Sequence, residues 1–140
     1  MTSFILDANV VISILISGRA TNKTILRSYD YLAPDFILAE INQYQGEIFK
    51  KSKLDETQLR FYTKAVFEEL TILPNYVIEE KSIKCALALL EEIDLKDVQY
   101  LALSIQLDLP LLTRDKPLYK GLKKQGYRKV QLWEDFLKSL

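Results

Sequence analysis

Residues 1–15 read MTSFILDANVVISIL. The apolar run Phe4-Ile5-Leu6 halts on Asp7, and the chain turns apolar again at once from Val10 to Leu15. The first run has the length of a buried strand, and the second has the length and spacing of a helix. An aspartate therefore stands at a strand-to-helix junction. It is either a helix cap, its oxygen taking up a free backbone N–H, or a side chain placed there for chemistry.

The same pattern recurs along the chain. SFIL (3–6), YLAP (31–34), LTILP (70–74), PLLT (110–113) and KVQLW (129–133) read as strands. Helical patterns occupy 9–18, 22–29, 35–52, 55–70, 79–93, 97–108 and 116–126. Strands alternating with helices, and continuously apolar rather than alternating, indicate βαβ crossovers and a parallel sheet covered on both faces. The expected fold is α/β: a three-layer, Rossmann-like single domain over residues 1–140 with a central parallel sheet of about five strands. The pattern does not fix the strand order.

Composition narrows the chemistry. The 140 residues are 49% hydrophobic, enough for a core. Nineteen basic and nineteen acidic side chains cancel, so no global field demands a nucleic acid or a membrane. No apolar run reaches the roughly 20 residues of a membrane span, and no basic stretch precedes the first strand, so neither a span nor a secretion signal is expected. The single cysteine, Cys85, lies in KCALALL and reads as a small core residue, consistent with a cytoplasmic protein. There is no histidine. Ser-His-Asp and Cys-His mechanisms are thereby excluded, as are nearly all zinc sites with nitrogen ligands.

What remains is carboxylate chemistry. In an open parallel sheet ligands bind beyond the carboxyl ends of the strands, and Asp7 and Asp115 stand at two such ends. Either alone reads first as a helix cap. Glu40 flanks the stripe Ile37, Ile41, Tyr44 and Ile48, where it either turns inward or reaches solvent. Asp94 and Asp97 head a helix that is apolar nearly all round; one serves as a cap and the other needs a different reason. If Asp7, Glu40, Asp97 and Asp115 converge, with Asp94 nearby, their repulsion calls for a cation or a raised pKa. Oxygen-only ligands select hard ions, Mg²⁺ or Mn²⁺.

FILDANVVISIL, LAEI and DVQYLALSIQLDLPLLTRDKPL together resemble the PIN-domain nucleases, over Phe4 to at least Leu118. The matched elements are Asp7-Ala8-Asn9, Glu40, Asp97 with Leu101-Ala102-Leu103-Ser104, and Thr113-Arg114-Asp115. Ser104 stands where that helix often has alanine. The resemblance implies a ribonuclease that cuts single-stranded RNA with Mg²⁺ or Mn²⁺. It gives Asp7, Glu40, Asp97 and Asp115 as acidic ligands, with Asn9 and Thr113 orienting water or ligands. Many small members resemble the toxins of VapBC-type toxin–antitoxin pairs, which implies a homodimer and a small antitoxin as partner. The segment 54–93 carries no motif of the family.

KPLYKGLKKQGYRK gathers Lys116, Lys120, Lys123 and Lys124 with interleaved tyrosines, and so reads either as a phosphate-binding strip or as a solvated helix face. Two readings outside the nucleases stay open. One is a phosphotransfer or phosphatase domain with Asp7 as nucleophile, although such enzymes usually want D-x-D where this chain has Asp7-Ala8-Asn9. The other is a non-catalytic module whose acids bind a basic partner.

Overall fold

The computed structural model describes residues 2–140. The chain order is β1 (Ser3–Leu6), α1 (Ala8–Ser17), α2 (Thr21–Arg27), β2 (Asp30–Pro34), α3 (Phe36–Gln43), α4 (Gln45–Lys51), α5 (Glu56–Glu68) and β3 (Leu70–Leu73). It continues with α6 (Glu80–Leu90), α7 (Val98–Leu107), β4 (Leu111–Thr113), α8 (Lys116–Lys124), β5 (Val130–Leu132) and α9 (Trp133–Lys138). Short 3₁₀ turns lead into α6 and α7, at Asn75–Val77 and Leu95–Asp97.

All strand pairs are parallel, in the order β3-β2-β1-β4-β5. Ile5 and Leu6 project to opposite faces, and both are fully buried, as are Leu111 and Leu112. Helices therefore cover both faces, and the layers number three. The chain builds outward from β1 to β3 and then returns to the other side of β1 to lay down β4. The point where that order reverses lies between β1 and β4, and the crevice beyond their carboxyl ends is where such sheets hold ligands.

Three local features depart from the sequence pattern. The helix expected over 35–52 is broken at Tyr44, whose φ of −97° and ψ of 10° end α3 and turn the chain into α4. The apolar stripe runs on across the break, because Ile37, Ile41 and Ile48 all reach the core. Trp133, expected to end a strand, instead opens α9, whose Phe136 packs edge-on against Phe4 at 4.9 Å between ring centroids. Cys85 is exposed, not a core residue. α6 buries Ser82, Ala86 and Leu90, a strict four-residue spacing, and Cys85 falls off that line. Among the described residues no helix is long and apolar enough to cross a membrane.

Gly18 closes α1 in the left-handed region, with φ of 62°, and its N–H donates to the Ile14 carbonyl. That geometry costs glycine nothing and lets the chain reverse within three residues into α2. The Tyr62 hydroxyl from α5 and the Asn22 N–H then both donate to the Arg19 carbonyl, which pins the turn.

Candidate functional site

β1 ends at Leu6 and β4 at Thr113, hydrogen-bonded neighbours in the sheet, so Asp7 and Asp115 emerge side by side at its carboxyl rim. α7 runs back towards the amino ends of the strands, which puts its first residues, and Asp97 before them, at the same rim. α3 follows β2 and carries Glu40 there as well. A cleft of about 330 Å³ opens between these elements, and Asp7, Glu40, Asp97 and Asp115 all line it. Asn9 lines it too, while Asp94 stays outside on the exposed turn before α7.

Hydrogen bonds separate caps from the rest. Asp115 is a true cap, accepting from the Leu118 N–H at 3.0 Å, and Asp94 accepts from the Lys96 N–H at 3.1 Å. Asp7 and Asp97 occupy cap positions of α1 and α7 without any side-chain cap bond. Asp7 is only 4% exposed, and its Oδ2 accepts instead from the Thr113 hydroxyl at 2.8 Å. Thr113, fully buried, also accepts from the Asn9 side-chain amide at 3.3 Å and from the Asp115 N–H at 3.1 Å. Asn9 Oδ1 in turn accepts from the Arg114 N–H. One hydroxyl thus locks the end of β1 to the end of β4. Replacing Thr113 by Val strands its buried donors and acceptor, and the expected loss is about 1–3 kcal/mol in a urea titration.

Glu40 is half-buried and accepts a hydrogen bond from the Tyr100 hydroxyl of α7. Burial first, then that carboxylate, keeps the Tyr100 phenol protonated far above neutrality. Glu40 therefore turns inward, and Tyr100 is the reason it can.

Asp97 is the outlier. It is 5% exposed, and its Oδ2 is buried with no hydrogen-bond partner. Burial, reinforced by the charges of Asp7 and Asp115, pushes its carboxyl up to about 8 against a partial offset from Lys96. Burial likewise raises Asp7 to about 6; the Thr113 hydrogen bond opposes that rise, and Glu40 and Asp115 add to it. Desolvation and like charge both disfavour the ionised forms.

Cations border the cleft without neutralising these acids. Lys51 pairs with Glu47 at 3.3 Å, Lys96 with Asp94 at 3.6 Å and Arg114 with Glu134 at 3.1 Å. None of Asp7, Glu40, Asp97 and Asp115 forms an ion pair among the described residues. Desolvation works against the Lys96 ammonium, but Asp94, Asp97 and Asp115 outweigh it and raise its pKa. The sequence pattern missed Lys51, Lys96, Arg114, Tyr44 and Tyr100 as cleft neighbours. Lys96 and Arg114 each sit beside a matched acid, which was the only signal.

The α8 lysines are placed elsewhere. Lys116, Lys120 and Lys123 do not line the cleft, and Lys124 borders a separate cavity with Ile93 and Gly121. Lys123 donates to the Arg128 carbonyl and lies 5.6 Å from the Tyr119 ring centroid.

The donor set suits a hard divalent ion: four oxygen carriers, no nitrogen or sulfur, one of them with a stranded buried oxygen. As the side chains stand, no three Asp, Glu, Cys or His groups among the described residues close around a single point. Three of the four are occupied by protein hydrogen bonds, from Thr113, Tyr100 and Leu118, while Asp97 Oδ2 is not.

Comparison with known proteins fits this geometry. A model of the PIN domain matches residues 5–134, nearly the whole chain, whereas no curated protein matches it. The matched span includes all four cleft acids as well as Asn9, Thr113 and Tyr100. The chain belongs to the PIN-domain family, whose members are generally nucleases hydrolysing phosphodiester bonds.

Proposed function

We propose that this protein is an endoribonuclease that hydrolyses single-stranded RNA in the presence of Mg²⁺ or Mn²⁺. The observation that carries the proposal is Asp97: a buried carboxylate with an unpartnered oxygen, facing Asp7 and Asp115 across a cleft at the switch point of the sheet. Left alone, such a group is a liability to the fold. A function that needs its negative charge explains its presence.

Asp7, Glu40, Asp97 and Asp115 would hold the ion, which when bound supplies charge neutralisation at the phosphate and activation of water. The protein's own groups do the positioning. Thr113 fixes Asp7 Oδ2, Tyr100 fixes Glu40, and the Leu118 N–H fixes one Asp115 oxygen. These bonds orient three of the carboxylates at the cleft before substrate arrives, and closing around one ion then takes only side-chain movement. Lys96 and Arg114 at the rim offer charge to the phosphates of a strand crossing the cleft. Family membership favours this over phosphoryl transfer to Asp7, whose Oδ2 is committed to Thr113.

The small PIN-domain toxins extend the proposal to a homodimer restrained by a small antitoxin. Size-exclusion with light scattering, and co-purification with the product of a neighbouring reading frame, bear on that part. The activity itself is tested by incubating single-stranded RNA pools with purified protein in Mg²⁺, in Mn²⁺ and in chelator. RNA left whole in both ions contradicts the reading.

A further inference from the structure

The acidic cleft does not end at Arg114. Ser13 and Arg114 line it and also line a second cavity of about 280 Å³, so the two are neighbours sharing a wall. The second cavity has a different character. Leu137, with the narrow exposed edges of the otherwise buried Ile14 and Trp133, gives it an apolar lining, and Arg19 joins Arg114 at its polar edge. Its one carboxylate, Glu134, is already paired with Arg114. Arg19 is exposed and makes no ion pair among the described residues, which leaves the cavity one positive charge in excess. The backbone of Arg19 is held in place by the Tyr62 and Asn22 bonds to its carbonyl.

We propose that this second cavity binds the nucleotide adjoining the scissile phosphodiester, with its base on the apolar lining and its outer phosphate on Arg19. The proposal rests on the ribonuclease reading above. A strand whose phosphodiester lies among the cleft acids must lay its next nucleotide in a neighbouring depression, and Ser13 and Arg114 mark the way into this one. Single-stranded RNA is gripped by such pairings of apolar or aromatic surface for the base and cation for the backbone. The cleft cations Lys51, Lys96 and Arg114 each share their charge with an acid, whereas Arg19, in the cavity beyond, has no such partner among the described residues. A chain short of that outer phosphate forgoes the contact.

The test measures fluorescence anisotropy of a labelled single-stranded octanucleotide in Mg²⁺, on protein carrying Asp7→Asn so that the strand stays whole. Adding Arg19→Ala is expected to weaken binding by about 3- to 10-fold and to reduce the salt slope by about 0.7, the share of one phosphate contact on a single strand. Adding Lys81→Ala, on the exposed face of α6, changes neither. In cleavage assays with Asp7 intact, Arg19→Ala raises KM for the octanucleotide and leaves that for a dinucleotide unchanged. Octanucleotide binding indifferent to Arg19, an equal effect on the dinucleotide, or no RNA binding at all overturns the subsite. Binding that depends on Arg19 without any cleavage by the native protein leaves the cavity a nucleotide-binding site but removes the nuclease reading, and with it any scissile bond beside the site.

Discussion

In chelator at pH 8, Asp97→Asn is expected to melt at a higher temperature than the native protein. Asp97 and Asp7 both have folded-state pKa values above the ordinary 3.8, at about 8 and about 6. Between roughly pH 4 and pH 8 the folded protein therefore keeps protons that the unfolded chain gives up. Stability falls as pH rises through that window, by up to about 1.4 kcal/mol per pH unit for each group that differs. Below pH 4 both states are protonated and the difference vanishes. Asparagine removes the Asp97 share and lowers the repulsion felt by Asp7. Allowing for water admitted by the open cleft, the gain at pH 8 is on the order of 2 kcal/mol. Urea titrations of the two proteins at pH 4 and pH 8 read it directly. A native protein that is the more stable of the two at pH 8 in chelator would mean Asp97 is not strained.

The same substitution is expected to cripple cleavage while it steadies the fold. Asp97→Asn and Asp7→Asn are each expected to lower cleavage of single-stranded RNA by about 10²–10³-fold or more, the scale of losing one preorganised electrostatic contact where charge develops. Ordinary destabilisation cannot produce that pairing of lost activity and gained stability. It is the signature of a site whose charge is kept against the interest of the fold. Glu40→Gln is expected to lower cleavage as well, because it removes charge while Tyr100 can still donate to the remaining carbonyl oxygen. Single-turnover rates in Mn²⁺, with circular dichroism to confirm folding, separate the two effects. Rates within about 10-fold of native for Asp97→Asn would place the chemistry elsewhere.

Much of this was legible in the sequence because parallel strands announce themselves. SFIL, YLAP and PLLT are short, continuously apolar and bounded by polar or breaking residues, and each became a strand within a residue or so. Asp7, Asp97 and Asp115 could be singled out because each interrupts or heads such a run. The order of the strands could not be read, since it is set by how the crossovers pack rather than by any single segment. The break at Tyr44 was hidden by an apolar stripe that continues straight through it. α9 was hidden by its brevity, with Trp133 reading as the end of the strand before it. The cations of the cleft were the hardest part. Lys51, Lys96, Arg114 and Arg19 come from four places in the chain and share nothing in sequence. The fold alone brings Lys51, Lys96 and Arg114 around the acids and sets Arg19 at the neighbouring cavity, while the lysine-rich stretch that did stand out lies on α8, off the cleft.

The account turns on whether crowded carboxylates at the rim of β1 and β4 take up a divalent ion. Isothermal calorimetry with Mn²⁺ at pH 7, repeated in two buffers of different ionisation enthalpy, measures both the binding and the protons it displaces. Native protein is expected to bind and to release protons, because the ion competes with those held at Asp97 and Asp7; Asp97→Asn is expected to bind at least about 10-fold more weakly and to release fewer. Superimposable isotherms for the two proteins, or no binding by the native one, would contradict the account.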